Sequence, residues 1–294
     1  MPLRDVLIAL VVVTIWGVNF TVIKLSVTEL PPILAAALRF FFAAVPAVFF
    51  VPRPQASWGL VIAYGLAMGF ALYALLNMSI YLGMPASLAS VVLQVQAIFT
   101  ILLAFFFLGE RPRQLQLLGS IIAFAGIGVI GAGRWHGAAI APFLITIAAA
   151  FAWGTANIVS KRAGAINMVA FTVWGNLMAP VPLLALSLLV DGPQAVLAAL
   201  SNPSWEVAGI VAFLAYPTTL FGFAAWSWLL QRHPTTMVAP FTLLVPITGM
   251  LAGMLVLGER IAAMDIAGGL LILAGLSLIV FRLGRKQAPV TPGA

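Results

Sequence analysis

Ten apolar stretches follow one another along the chain, separated by short breaks rich in charge, proline and glycine. They cover residues 6–23, 31–51, 58–82, 86–108, 115–133, 138–160, 166–190, 207–230, 235–257 and 266–281. A spanning helix needs about 20 predominantly apolar residues, so each stretch reads as a membrane crossing; the last is short but has apolar flanks. The breaks fit this reading. Pro52-Arg53-Pro54 ends the second stretch, Gly83-Met84-Pro85 makes a tight turn after the third, and Lys161-Arg162 closes the sixth. Proline lacks an N–H and kinks or breaks a helix, so closely spaced prolines make a natural stop. The pattern predicts an all-α integral membrane protein of ten transmembrane helices.

The pattern also repeats. Leu108-Gly109-Glu110-Arg111 recurs as Leu257-Gly258-Glu259-Arg260, an offset of 149 residues, and the same offset carries Pro85 onto Pro234, Gly119 onto Gly268 and Ala125-Gly126 onto Ala274-Gly275. Further upstream, Trp16-Gly17 and Lys24 fall on Trp153-Gly154 and Lys161 at an offset of 137, so about 12 residues are inserted between. Self-similarity at a fixed period marks duplicated units. We read residues 1–135 as a first repeat, 136–284 as a second, and 285–294 as a basic tail expected to be disordered.

Composition narrows the class. Hydrophobic residues are 63% of the chain and charged residues 7%, against roughly 25% charged in soluble domains, so the bilayer is its solvent. The net charge of +7 would suggest nucleic acid in a soluble protein, but here the basic residues sit at the ends of apolar runs, where topology places them, and no nucleic-acid partner is expected. With both termini on the cytoplasmic side, the inner loops and tail hold ten Lys or Arg and the outer loops hold three: Lys24, Arg134 and Arg260. Cytoplasmic termini follow from that excess. Five spans per repeat is an odd number, so the two copies insert in opposite directions, with Asp265 expected to offset Arg260 on the outer side. Inverted repeats are the mark of alternating-access carriers, whose site lies between the repeats near the midplane.

Cysteine is absent, which excludes disulfides and thiol chemistry. No Walker Gly-Lys-Ser/Thr loop, metal pair or catalytic triad occurs, and neither an enzymatic activity nor a cofactor is expected. All seven acids lie in loops or at helix edges, so facilitated diffusion or exchange is the simpler expectation than ion coupling. The candidate site residues are therefore neutral. Trp16, Asn19 and Phe20 share a face of the first span, and Trp153 and Asn157 repeat the pairing on the sixth. Tyr73, Asn77 and Tyr81 form a polar stripe on the third span; Gln94, Gln96 and Thr100 lie at mid-depth on the fourth; Trp174 and Asn176 lie on the seventh, and Tyr216 on the eighth. Each amide has an alternative role in bonding two helices together. Arg39 is the one basic residue well inside a span. It either anchors a substrate carboxylate or bonds structurally to backbone carbonyls or a loop acid such as Glu29, the second being slightly favoured.

Trp16-Gly17-x-Asn19-Phe20, Leu38-Arg39-Phe40, the Pro85-Ala86 helix start and the twofold Leu-Gly-Glu-Arg resemble the EamA domains of the drug/metabolite transporter superfamily over nearly the whole chain. Within it the chain is similar to bacterial amino-acid and metabolite exporters. The resemblance implies two five-helix repeats around a central cavity and export across the inner membrane. One departure stands out: Ala156 occupies the position of Asn19, with Asn157 one place on. A cavity of Trp, Tyr, Asn and Gln suits zwitterionic amino acids, aromatic or neutral. Cysteine and O-acetylserine, or hydrophobic cations bound by cation–π contacts, are the alternatives. Phosphorylated substrates are disfavoured, since only Arg39 is at hand for the phosphate. The partners expected are the bilayer and a small solute, for a monomer or weak homodimer.

Overall fold

The computed structural model of the chain describes residues 1–134, 139–164, 166–201 and 204–280, and of Thr235 and Thr236 the backbone alone. The 135/136 repeat boundary and the 285–294 tail lie outside the described residues. The helices are α1 (Leu3–Glu29), α2 (Pro32–Ala47), α3 (Trp58–Tyr81), α4 (Ala86–Leu108), α5 (Gln114–Ala132), α6 (Ile140–Arg162), α7 (Met168–Val190), α8 (Trp205–Arg232), α9 (Ala239–Leu257) and α10 (Ala263–Val280). Among the described residues nine are long and apolar enough to cross a membrane, and the tenth, α2, has 16 residues where the sequence pattern predicts 21. Pro46 removes a donor from its last turn, and Val48 to Phe50 form a plain turn before Pro52.

The two copies carry the same irregularities. A π-helical segment interrupts α3 at Gly65–Ala71 and α8 at Leu214–Phe221, and the 149-residue offset carries Gly65 onto Leu214. A 3-10 turn interrupts α4 at Leu93–Val95 and begins α9 at Ala239–Leu243. Such breaks in the i→i−4 ladder release backbone carbonyls and concentrate at functional sites.

Close helix contacts establish how the repeats face each other. A Cβ added at Gly119 would fall on the carbonyl of Gly275, and one added at Gly126 on that of Gly268. Since the offset equates Gly119 with Gly268 and Gly126 with Gly275, each contact is the other seen from the opposite repeat. That reciprocity belongs to a two-fold interface. It runs antiparallel, early α5 against late α10, so the axis lies across the helices and the repeats are inverted. A second pair agrees. Gly17 of α1 abuts Thr248 and Gly249 of α9, while Gly154 of α6 abuts Phe99 and Thr100 of α4, and 149 residues separate Phe99 from Thr248. The first helix of each repeat thus packs on the fourth helix of the other.

The repeated tetrapeptide closes α4 and α9 in the same way. Gly109 (φ 67°) and Gly258 (φ 64°) adopt the left-handed conformation, and the amides of Glu110 and Glu259 return to the carbonyls of Ala104 and Gly253. Glycine pays no Cβ penalty there. Gly258→Ala should cost about 1 kcal/mol, seen as a lower melting temperature of the detergent-purified protein.

The glutamates, however, hold different partners. The Glu259 carboxylate accepts the amides of Ala86 (2.7 Å) and Ser87 (2.8 Å) at the start of α4, at the end of the bundle away from the N-terminus. Glu110 instead pairs with Lys161 at the opposite end, both half exposed. Asp265 does not offset Arg260, as the sequence suggests; it pairs with Arg134 at 2.8 Å. Beside the N-terminus, Asp5 meets His233 at 2.6 Å.

Candidate functional site

A cavity of about 140 Å3 lies between the repeats, walled by α1, α2, α3, α4, α6, α8 and α9. That volume is near the roughly 150 Å3 of an engineered apolar cavity able to take up benzene. Six of the sixteen wall residues come in related pairs: Trp16 with Trp153, Leu93 with Thr242, and Gln96 with Val245. The cavity therefore straddles the two-fold axis. Polar groups are few and placed, the usual make-up of a small-molecule site.

The π segment of α8 organises one wall. Trp16 lies across Gly222, where a Cβ would strike its indole, and donates its N–H to the carbonyl of Thr218 at 3.1 Å. Its ring also packs on Phe223 and Trp226, at 5.6 and 5.3 Å between centroids. Arg39 enters from α2. It is 1% exposed and donates through Nε to Thr219 Oγ1 (3.1 Å), through Nη1 to Asn19 Oδ1 (2.9 Å) and through Nη2 to the Tyr73 hydroxyl (3.1 Å). Its guanidinium carbon also stands 4.2 Å over the Tyr73 ring. Its partners are thus side chains of three other helices rather than backbone carbonyls or Glu29.

Phe20 lines the cavity, and so do six of the other thirteen neutral candidates: Trp16, Asn19, Tyr73, Gln94, Gln96 and Trp153. The other seven lie elsewhere. Asn157 donates to Gln96 Oε1 (2.8 Å) and to Thr100 Oγ1 (3.0 Å), so the three tie α4 to α6, and only Gln96 reaches the cavity. Asn77 donates to the carbonyl of Pro32 at 3.0 Å, joining α3 to α2. Trp174 donates to the carbonyl of Pro52 at 3.1 Å and packs on Trp58. Asn176 is buried at a separate apolar cavity of about 160 Å3 between α2, α7 and α8. Tyr81 is more than half exposed, and Tyr216 is partly exposed at a separate apolar cleft beside Leu38 and Phe42 of α2.

The stripe on α3 divides for a geometric reason. Four residues turn a helix by about 400°, so Tyr73, Asn77 and Tyr81 drift by roughly 40° at each step and wrap away from the axis. Arg39, Thr218, Phe223 and Thr242 are wall residues absent from the candidate set. Arg39 had a signal in sequence, as a lone basic residue at depth. The Thr218 carbonyl had none, because the π segment creates its role. Asn157→Leu should lower the melting temperature by the loss of about 1 kcal/mol of interhelical bonding while leaving substrate KM within about twofold.

Comparison with known proteins agrees with this architecture. The EamA-like transporter family matches residues 3–132 and 140–281. A "Probable amino-acid metabolite efflux pump" of Escherichia coli is 38% identical over 98% of each chain, and its Salmonella typhimurium namesake 39% identical over 96% of each. A "Probable terminal-alkyne amino-acid exporter" of Streptantibioticus cattleyicolor is 28% identical, covering 97% of this chain and 96% of its own. One solved crystal structure superimposes with a TM-score of 0.63 at 18% identity, covering 94% of this chain and 96% of the other, a likeness of fold.

Proposed function

The chain belongs to the EamA-like transporter family, and we propose that it exports amino acids, neutral and aromatic ones foremost, across the bacterial inner membrane by alternating access. The observation that carries this is near full-length identity of 38% and 39% to two proteins named as amino-acid metabolite efflux pumps. The cavity supports it: Trp16, Trp153 and Phe223 offer broad apolar contact for a variable side chain, while Asn19, Gln94 and Gln96 offer bonds to the polar ends. No carboxylate lines the cavity among the described residues, which fits facilitated diffusion or exchange better than proton or sodium coupling.

The unequal use of the two glutamates supports the alternating step. Glu259 closes one end by holding the start of α4, while its counterpart Glu110 rests on Lys161. The repeat relation makes Lys24 the equivalent of Lys161, and Pro234-Thr235-Thr236 the equivalent of Pro85-Ala86-Ser87. In the opposite state the roles exchange: Glu110 holds the chain after Pro234, and Glu259 releases α4 for Lys24. The termini lie on the cytoplasmic side in this reading. Counterflow in proteoliposomes tests the function. A carrier shows uptake of labelled phenylalanine or leucine that is stimulated by unlabelled amino acid inside. Vesicles that neither exchange nor release any amino acid would refute the proposal.

A further inference from the structure

We infer that Arg39 is the carboxylate-selecting residue of the central cavity, drawing the negative end of a substrate towards α2 and turning away solutes that carry only positive charge. The inference rests on the proposed export of amino acids but asks which part of the solute the site reads.

An arginine at this depth is costly unless paired. Among the described residues no carboxylate lies within 4.0 Å of the Arg39 guanidinium. Its three bonds all go to neutral oxygens, those of Thr219, Asn19 and Tyr73. Neutral dipoles solvate a charge without cancelling it, so the positive field remains. A guanidinium has five N–H donors, which leaves two beyond these three bonds. Arg39 is part of the cavity wall, where the other lining residues are all uncharged. An anionic group entering the cavity therefore meets one uncompensated cation in a low-dielectric surrounding, where attraction is strongest.

The counter-argument is that Arg39 only fastens α2 to α1, α3 and α8. The two roles separate at Asn19, which accepts from Nη1 at 2.9 Å. Asn19→Asp keeps an oxygen in that place, and so the fastening, but adds a fixed negative charge that cancels the field.

The test compares phenylalanine with phenylalaninamide and phenethylamine, and phenyllactate with its amide, on the purified full-length protein and in proteoliposomes. Thermal stabilisation reads binding, and inhibition of counterflow reads transport. The wild type should favour each carboxylate over its amide by about tenfold, the scale of one charge-assisted hydrogen bond. Arg39→Gln and Asn19→Asp should both bring that ratio to near one, Asn19→Asp with an unchanged or higher melting temperature. A wild type without the preference overturns the inference, as does an Asn19→Asp or Arg39→Gln protein that folds and keeps it. If the wild type transports no amino acid yet is stabilised by phenyllactate over its amide, the export reading fails and the role of Arg39 stands.

Discussion

Gly126→Leu should abolish accumulation of folded transporter, while Gly128→Leu, two residues away on the same helix, should leave it nearly unchanged. A Cβ at Gly126 would lie 2.5 Å from the carbonyl of Gly268 and 2.9 Å from the Ile272 side chain. Nothing lies within 4 Å of one at Gly128. Backbone cannot retreat as a side-chain tip can, so α5 and α10 would have to part. Apolar tails surround the bundle, and close backbone packing replaces the hydrophobic effect as the force that joins its helices. Overpacking costs about 3 kcal/mol where the neighbour is this rigid. Because the contact is reciprocal, Gly275→Leu should fail equally, its Cβ falling on the Gly119 carbonyl and on Ala123. Size-exclusion profiles and melting temperatures in detergent decide the matter. A monodisperse Gly126→Leu protein would mean that the two repeats are not joined at this seam.

Glu259→Gln should free the start of α4. The carboxylate now receives two backbone amides, and glutamine keeps one acceptor in place of two. A hydrogen bond to a charged group contributes roughly 1.5–3 kcal/mol, so the end held by Glu259 should open about tenfold more often. The absence of cysteine permits a direct reading. Ser90 is fully buried, its hydroxyl bonded to the carbonyl of Ser87 and near that of Pro246. A Ser90→Cys probe should react with a membrane-impermeant maleimide about tenfold faster when combined with Glu259→Gln. Glu110→Gln should act the other way and slow labelling in the same assay by up to about tenfold, because it weakens the hold on the chain after Pro234 in the opened state, while the exposed Glu110–Lys161 pair it gives up contributes only about 0–1 kcal/mol. Equal labelling rates with and without Glu259 would remove it as the closing contact.

The period-149 repeat is legible in the sequence because close packing and chain reversal tolerate few residue types. Glycines 119, 126, 268 and 275 recur where backbones touch, and glycines 109 and 258 recur where φ must be positive. Membrane spans are legible for a similar reason, since hydrocarbon accepts only long apolar runs. The π segments were hidden. Pro217 lies inside one of them, but the other has no proline and instead brings Gly65 and Gly69 against Gly175 and Ala179. Nor does helical spacing say which face meets the axis. Asn19 and Asn157 look alike in sequence, yet one bonds Arg39 at the cavity and the other bonds Gln96 behind it. Partners of that kind lie 20 and 61 residues distant, and Thr219 lies 180 residues from Arg39. Only the assembled bundle brings them together.

The brevity of α2 sets a condition on the host lipid. Its 16 residues rise about 24 Å, against about 30 Å of hydrocarbon in an average bilayer. Phe49 and Phe50, 80% and 87% exposed in the turn that follows, continue the greasy surface without continuing the helix. Acyl chains beside α2 must shorten or splay to meet it, at a fraction of a kcal/mol per ångström. Fluxes measured in vesicles of 14- to about 16-carbon phosphatidylcholines should therefore exceed those in chains of about 22 carbons.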